Sequence, residues 1–236
     1  MFNKKNLLGI GFTDEKLQDV LEYLDKILQK KEKKYFVVTP NPELLVIANK
    51  NFEYKKVLND ADLALIDGVG VIIAGKILGK PLKNKISGVD FVKSVCEYVA
   101  EKPITVGFLG AGPGVAELTA ECLRKKYPGL KVAFSAQEWD ELSLGKSADI
   151  LFVAFGSPKQ EIWIKNNLKD LPVTVAVGVG GAFDIISGKV MRAPGFIRSL
   201  GLEWLFRLAV QPWRIKRQLR LLKFMYLVLR EKFYTA

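Results

Sequence analysis

Asp67 is the carboxylate that the sequence places best for chemistry. It follows the apolar run Leu63 to Ile66 and precedes Gly68-Val69-Gly70, a turn in which the backbone lies open. A carboxylate there can take a proton from a reacting hydroxyl. It can equally cap the helix that follows, a role aspartate fills well. Upstream, Thr39-Pro40-Asn41-Pro42-Glu43 sets a hydroxyl, Thr39, and an amide, Asn41, after another apolar run, with two prolines limiting their movement. Preorganised groups of this kind orient a sugar or steady developing charge, although Thr-Pro and Asn-Pro are also ordinary turn starters. Pro158-Lys159-Gln160-Glu161 has the same double meaning, since it also suits a first helical turn with proline at its start and an acid near the positive dipole end.

Histidine is absent, which removes Ser-His-Asp and Cys-His catalysis and His-ligated zinc together. Acid-base work falls to carboxylates, Lys or Tyr. Cys96 and Cys122 form neither a CxxC motif nor a secreted disulfide framework, so a reducing, cytoplasmic compartment is expected. The 236 residues, half of them apolar and with a formal charge of +11, have the composition of a soluble globular chain best accommodated as one large α/β domain. No signal peptide is expected from the first residues, and no apolar run approaches the ~18 to 20 residues needed to span a bilayer.

The elements that must position these groups repeat one theme: a β-branched apolar run, a turn of Gly, Pro, Asn or Asp, then a helical pattern. It occurs at Tyr35 to Val38, Leu63 to Ile66, Ile104 to Leu109, Ile150 to Phe155 and Val173 to Val177, after a short strand expected within Asn6 to Phe12. Such alternation predicts a Rossmann-like α/β fold, a mostly parallel sheet with helices on both faces. Ligands of these sheets lie beyond the carboxyl ends of the strands. All five turns therefore belong on one edge, where helix N-termini favour an anionic, phosphorylated ligand.

From residue 194 the pattern changes, so the chain divides into a catalytic α/β domain, residues 1–193, and a helical appendage, residues 194–236. Two helices are expected there, Phe196 to Val210 and Trp213 to Phe233, parted at Gln211-Pro212. Residues 192–236 carry seven of the chain's eight Arg and three Lys against Glu203 and Glu231, a net +8. Arginine offers a planar fork for phosphate oxygens. In the second helix Ile215, Leu219, Leu222, Tyr226, Leu229 and Phe233 form one apolar stripe beside Lys216, Arg217, Arg220, Lys223 and Arg230. A helix of that kind lies in an anionic membrane interface or packs on a protein core.

Two other functions fit less well. The glycines from Gly110 to Gly114 approach a dinucleotide fingerprint, but Val115 stands where its last glycine belongs and no acid ends the apparent strand Lys131 to Phe134. Backbone contact with a phosphate or sugar, as at Gly110, suits them better than NAD. A nucleic-acid module would use the basic tail, yet no aromatic platform or nucleic-acid motif accompanies it.

Taken in order, Thr39-Pro40-Asn41-Pro42-Glu43, Ala61-Asp62 with Asp67-Gly68-Val69-Gly70, Gly88-Val89-Asp90, Phe108-Leu109-Gly110-Ala111, Gly156-Ser157-Pro158-Lys159-Gln160-Glu161, Gly178-Val179-Gly180-Gly181-Ala182-Phe183-Asp184, and Arg192-Ala193-Pro194 through Gly201-Leu202-Glu203-Trp204-Leu205-Phe206-Arg207 closely resemble the WecG/TagA/CpsF glycosyltransferase family. The resemblance runs from about Gly9 to the end. It implies transfer of a hexose-type sugar, commonly N-acetylmannosamine, from a UDP-sugar to a lipid-linked acceptor such as N-acetylglucosaminyl-diphospho-undecaprenol, with inversion and without a cofactor or bound metal. Another hexose, such as glucose, galactose or N-acetylmannosaminuronic acid, stays open as the sugar moved. The resemblance assigns Asp67 as general base and Thr39 and Asn41 as its polar partners. Gln160 and Asp184 match positions near the nucleotide, and Arg207, Arg214 and Arg217 are matched to closure over the diphosphate. No DxD pair stands in a suitable loop. The family usually has Arg where this chain has Lys85 before Ile86-Ser87-Gly88-Val89-Asp90, so the charge survives but the bidentate fork does not. A peripheral enzyme on the inner face of the cell membrane is implied, with an anionic membrane surface and a second copy of the chain as partners, and no nucleic acid.

Overall fold

The computed structural model describes residues 2–139 and 146–234, without the side chains of residues 214 and 216–218. The chain opens with a hairpin, β1 (Lys4–Leu7) and β2 (Ile10–Thr13), where one strand was expected. Leu8 and Gly9 both take positive φ, 53° and 76°, which is the backbone of a tight two-residue hairpin turn and reverses the chain inside the apolar run.

The elements that follow are α1 (Leu17–Lys30), β3 (Tyr35–Val38), α2 (Pro42–Lys50), α3 (Phe52–Asn59), β4 (Leu63–Ala64), α4 (Val69–Ile77), α5 (Gly88–Val99), β5 (Thr105–Gly110), α6 (Val115–Lys126), β6 (Lys131–Ala136), β7 (Ala148–Ala154), α7 (Lys159–Asn167), β8 (Val173–Gly178) and α8 (Ala182–Ile186). Six strands make one sheet in the order β4-β3-β8-β7-β5-β6, and every pairing in it is parallel. The strand side chains alternate between two cores. Val106, Phe108, Ile150, Phe152, Val175 and Val177 face one, which holds buried residues of α1, α5, α6 and α8. Leu109, Leu151, Val153 and Ala176 face the other, which holds buried residues of α2, α3, α4 and α7. Burial on both faces explains why the strands read as unbroken apolar runs.

The C-terminal segment continues as α9 (Gly195–Ser199), α10 (Glu203–Val210), a 3₁₀ turn (Pro212–Arg214) and α11 (Ile215–Tyr234). The single helix expected over Phe196 to Val210 is therefore two. Gly201 breaks it with a φ of 74°, and its bare Cα lies where a Cβ would come within 3.0 Å of Val69. Helix α11 docks through Phe224, Leu227 and Val228, all buried in the second core, against α2 and α4. The stripe Ile215, Leu219, Leu222, Tyr226, Leu229 and Phe233 lies instead on the outside, each residue 45–79% exposed. Core packing and an open apolar face thus coexist on one helix. Among the described residues no helix is long and apolar enough to cross a membrane.

Candidate active site

The Asp67 turn is built by the end of the sheet. Past Ala64 the chain stays extended: Leu65 donates its N–H to the Val38 carbonyl at 2.8 Å, and Ile66 accepts from Ile86 N–H at 2.8 Å, forming a parallel bridge with Lys85. Asp67 N–H then donates to the Pro40 carbonyl at 3.2 Å. That bond joins the carboxylate turn to the Thr39–Asn41 loop. Gly68, with φ 92°, is the N-cap of α4, and no side chain caps that end. The capping role open to Asp67 in the sequence is accordingly not taken, because the chain turns one residue later through a conformation that suits glycine.

Half buried, the Asp67 carboxylate makes no hydrogen bond or ion pair among the described residues. Burial pushes its pKa from 3.8 up to about 7; the charge of Glu203 adds to the rise, Arg207 and Lys85 oppose it, and Asp90 adds to it. A carboxylate held there has the basicity suited to proton abstraction near neutral pH.

Thr39 is buried and donates its hydroxyl to the Gly178 carbonyl at 3.2 Å, linking the ends of β3 and β8. Asn41 caps α2, its Oδ1 accepting from Leu44 N–H at 3.1 Å; its amide NH₂ makes no hydrogen bond among the described residues. Lys85 is exposed on the bridge beside Ile66, close enough to lower the Asp67 pKa.

Beyond β8 the turn to α8 carries Asp184 in the first helical turn. A Cβ placed on Gly181 would lie 3.6 Å from Arg207 Nη2 and 3.7 Å from Asp184 Oδ2, so α10 of the C-terminal segment reaches across this turn. Arg207 Nε is buried and has no acceptor among the described residues, a costly arrangement that a ligand oxygen would relieve. Gln160 is 1% exposed; its amide contacts protein, with Oε1 accepting from Gly180 N–H at 3.0 Å and Nε2 donating to Glu161 at 2.7 Å. Gly110 stands apart at the end of β5, roughly 19 Å across the sheet from β4 at one strand spacing per step. A Cβ there would strike the Ala154 carbonyl carbon at 2.8 Å, so close packing of β5 on β7 already requires this glycine. Val115, in place of the last fingerprint glycine, is a core residue. The side chains of Arg214 and Arg217 lie outside the described residues.

Glu203, Arg192 and Asp90 stand at the site with no role assigned from the sequence. Glu203 and Arg207 stand one turn apart on α10 and push the Asp67 pKa in opposite directions; their i, i+4 spacing was the available signal. Arg192 pairs with Asp90 at 2.7 Å, and Ser87 donates to the same carboxylate at 2.6 Å. Burial would push Asp90 up, but these two hydrogen bonds and the Arg192 and Arg198 charges hold it below the usual carboxylate range. That pair fastens the start of the C-terminal segment to α5 and joins residues 102 positions apart, a contact with no local sequence signature.

A parallel sheet that brings a carboxylate, Asp67, and the cations Lys85 and Arg207 to its carboxyl edge is an arrangement suited to an anionic ligand. The model of the glycosyl transferase WecG/TagA/CpsF family matches residues 5–236, and the chain belongs to that family. It is 35% identical over 239 residues to the N-acetylglucosaminyldiphosphoundecaprenol N-acetyl-beta-D-mannosaminyltransferase of Bacillus spizizenii (strain ATCC 23059 / NRRL B-14472 / W23), covering 98% of this chain and 93% of that protein. Proteins of the same name in Bacillus subtilis (strain 168) and Staphylococcus aureus (strain NCTC 8325 / PS 47) are 32% and 29% identical, over 95% and 97% of this chain and 90% and 93% of theirs. The chain is thus a glycosyltransferase.

Proposed function

We propose that this enzyme moves N-acetylmannosamine from a UDP-sugar to the 4-hydroxyl of N-acetylglucosaminyl-diphospho-undecaprenol, in one inverting displacement that needs no metal, for synthesis of a cell-surface polymer. The relatives' names support the sugar and the acceptor. The observation that carries the chemistry is Asp67, a half-buried carboxylate without a partner among the described residues, whose pKa burial pushes up to about 7.

In the step, Asp67 takes the proton of the acceptor hydroxyl as its oxygen bonds to the anomeric carbon from the face opposite the diphosphate. The bond from that carbon to the β-phosphate oxygen breaks, and its electron pair leaves with UDP. Arg207, with a buried Nε lacking an acceptor among the described residues, and Lys85 supply the positive charge that the leaving group requires. Arg214 and Arg217 are assigned the same task from the appendage. Thr39 and Asn41 orient the sugar, and Asp184 flanks the donor.

The appendage, residues 194–236, both completes the site and holds the enzyme to the inner face of the membrane, where a polyprenyl-linked acceptor presents its head group. Of the 19 exposed large apolar side chains among the described residues, 14 fall between Phe196 and Tyr234. An open apolar surface of that size, flanked by Arg and Lys, suits an anionic lipid interface.

Asp67→Asn tests the proposal. With UDP-N-acetylmannosamine and a short-chain lipid diphosphate acceptor, the variant is expected to bind UDP as the unaltered enzyme does while transfer, followed by product mass, falls about 10³-fold. Near-normal turnover would remove Asp67 as the base.

A further inference from the structure

Among the described residues, the least exposed carboxylate is one that the proposed reaction does not use. Glu161, in the first turn of α7, is 0% exposed. Its Oε1 accepts from Ser157 Oγ at 2.7 Å and from Gln160 Nε2 at 2.7 Å, and its Oε2 accepts from Tyr54 OH at 3.2 Å. Burial pushes Glu161 above the usual carboxylate range against the pull of these hydrogen bonds, so the arrangement is maintained at a cost.

Its effect is on Gln160. An amide can rotate by half a turn and exchange its oxygen and nitrogen. The acceptor at Glu161 Oε1, 2.7 Å away, favours one orientation, with Nε2 toward the carboxylate and Oε1 toward Gly180 N–H, 3.0 Å away; Ser157 Oγ, 3.3 Å from Nε2, is the weaker second acceptor. The amide lies flat on the turn it holds: a Cβ on Gly178 would come within 3.2 Å of Gln160 Nε2, and Gly180 takes a φ of 54°. Gly181, next in the chain, is the residue flanked by Arg207 Nη2 and Asp184 Oδ2. A flipped amide would put an N–H against the Gly180 N–H and repel the turn.

We infer that Glu161 is a positioning residue: it fixes the Gln160 amide, and through it the β8–α8 turn that presents Asp184 and Gly181 to the donor diphosphate and to Arg207. The consequence for donor binding rests on the function proposed above, whereas the hold on the turn does not. Tyr54 is a useful control, since its bond goes to the oxygen that Gln160 does not touch.

Amide hydrogen exchange at Gly180 in the free enzyme, with UDP affinity by calorimetry, tests this. Glu161→Leu, which keeps the volume and removes the acceptor, is expected to speed Gly180 exchange and weaken UDP binding, each about tenfold. Glu161→Gln restores an acceptor oxygen for Gln160 and is expected to return both to within about twofold of the unaltered protein, as is Tyr54→Phe. Gln160→Met should reproduce the Glu161→Leu effect, with no further change in the double variant, because residues acting through one another are non-additive; this arm stands even where Glu161→Leu does not fold. Unchanged Gly180 exchange in Gln160→Met, or equal damage from Tyr54→Phe and Glu161→Leu, would overturn the inference. Faster exchange with UDP affinity unchanged would keep Glu161 as the holder of the turn and overturn the turn as a donor contact.

Discussion

Asp67 and Glu161 both follow a strand end on the same edge of the sheet, and burial raises the pKa of each. They differ in partners. Glu161 is met by three donors, whereas Asp67 has none among the described residues and only distant cations to moderate it. A carboxylate whose hydrogen bonds are all made is part of the architecture. One left without them retains its basicity for a hydroxyl brought to it.

The same division runs through α11. Phe224, Leu227 and Val228 are fully engaged with the core, while the stripe from Ile215 to Phe233 is open. Phe224→Ala is expected to cost about 3 to 4 kcal/mol in chemical denaturation, as for a fully buried aromatic. Leu222→Ala, on the outer face, should stay within about 0.5 kcal/mol. Equal losses at the two positions would mean that the outer stripe is also covered in solution.

At the site the division predicts a charge effect. Arg207→Lys keeps the positive charge but loses the planar fork and the unspent Nε; transfer is expected to fall about 10²-fold in kcat, the scale of losing one donor to a developing anion. A wild-type rate would assign the leaving group to other residues.

Stability separates the two carboxylates with opposite signs. Because the folded pKa of Asp67 lies above its unfolded value, the native state binds the extra proton between about pH 4 and 7, and this contribution to stability is lost as pH rises through 7. Asp67→Asn is therefore expected to be more stable than the unaltered enzyme by about 1 to 2 kcal/mol at pH 8, with the difference vanishing near pH 4. Glu161→Leu should instead lose about 1 to 3 kcal/mol at pH 8, since Ser157 and Tyr54 lose their acceptor and Gln160 Nε2 keeps only Ser157 Oγ, 3.3 Å away. Destabilisation by Asp67→Asn would show that its carboxylate has a structural partner.

The smallest effect is expected at the membrane. Leu219→Glu with Leu222→Glu should weaken sedimentation with anionic vesicles about tenfold and leave the denaturation midpoint in place, because neither residue supports the core. Deleting the whole of α11 would confuse the two faces, as Phe224, Leu227 and Val228 would leave with it.

Much of this was legible in the chain because strands buried on both faces appear as unbroken apolar runs, and the turn after each is written in Gly, Pro, Asn and Asp. The five strands, their parallel direction and the shared edge of the turns that follow them, those of Thr39 and Asp67 included, follow from that local signal. What escaped it depended on distant partners. Which face of α11 docks is decided by α2 and α4, so Phe224 and Val228 carry no more local information than Leu222. The break at Gly201 reflects Val69, more than a hundred residues earlier, and the Leu8–Gly9 reversal lay hidden inside an apolar run. Gln160 is matched to the nucleotide by resemblance, and its further hold on the turn through Glu161 and Gly180 has no local signature.

The most direct measurement is the pH dependence of kcat/KM for transfer, from pH 5 to 9. A base with a pKa near 7 predicts a limb that falls tenfold per pH unit below about pH 7 and levels above it, with the limb absent from the residual activity of Asp67→Asn. A rate independent of pH down to 5, or the same limb in the Asn variant, would contradict Asp67 as the group that takes the acceptor's proton.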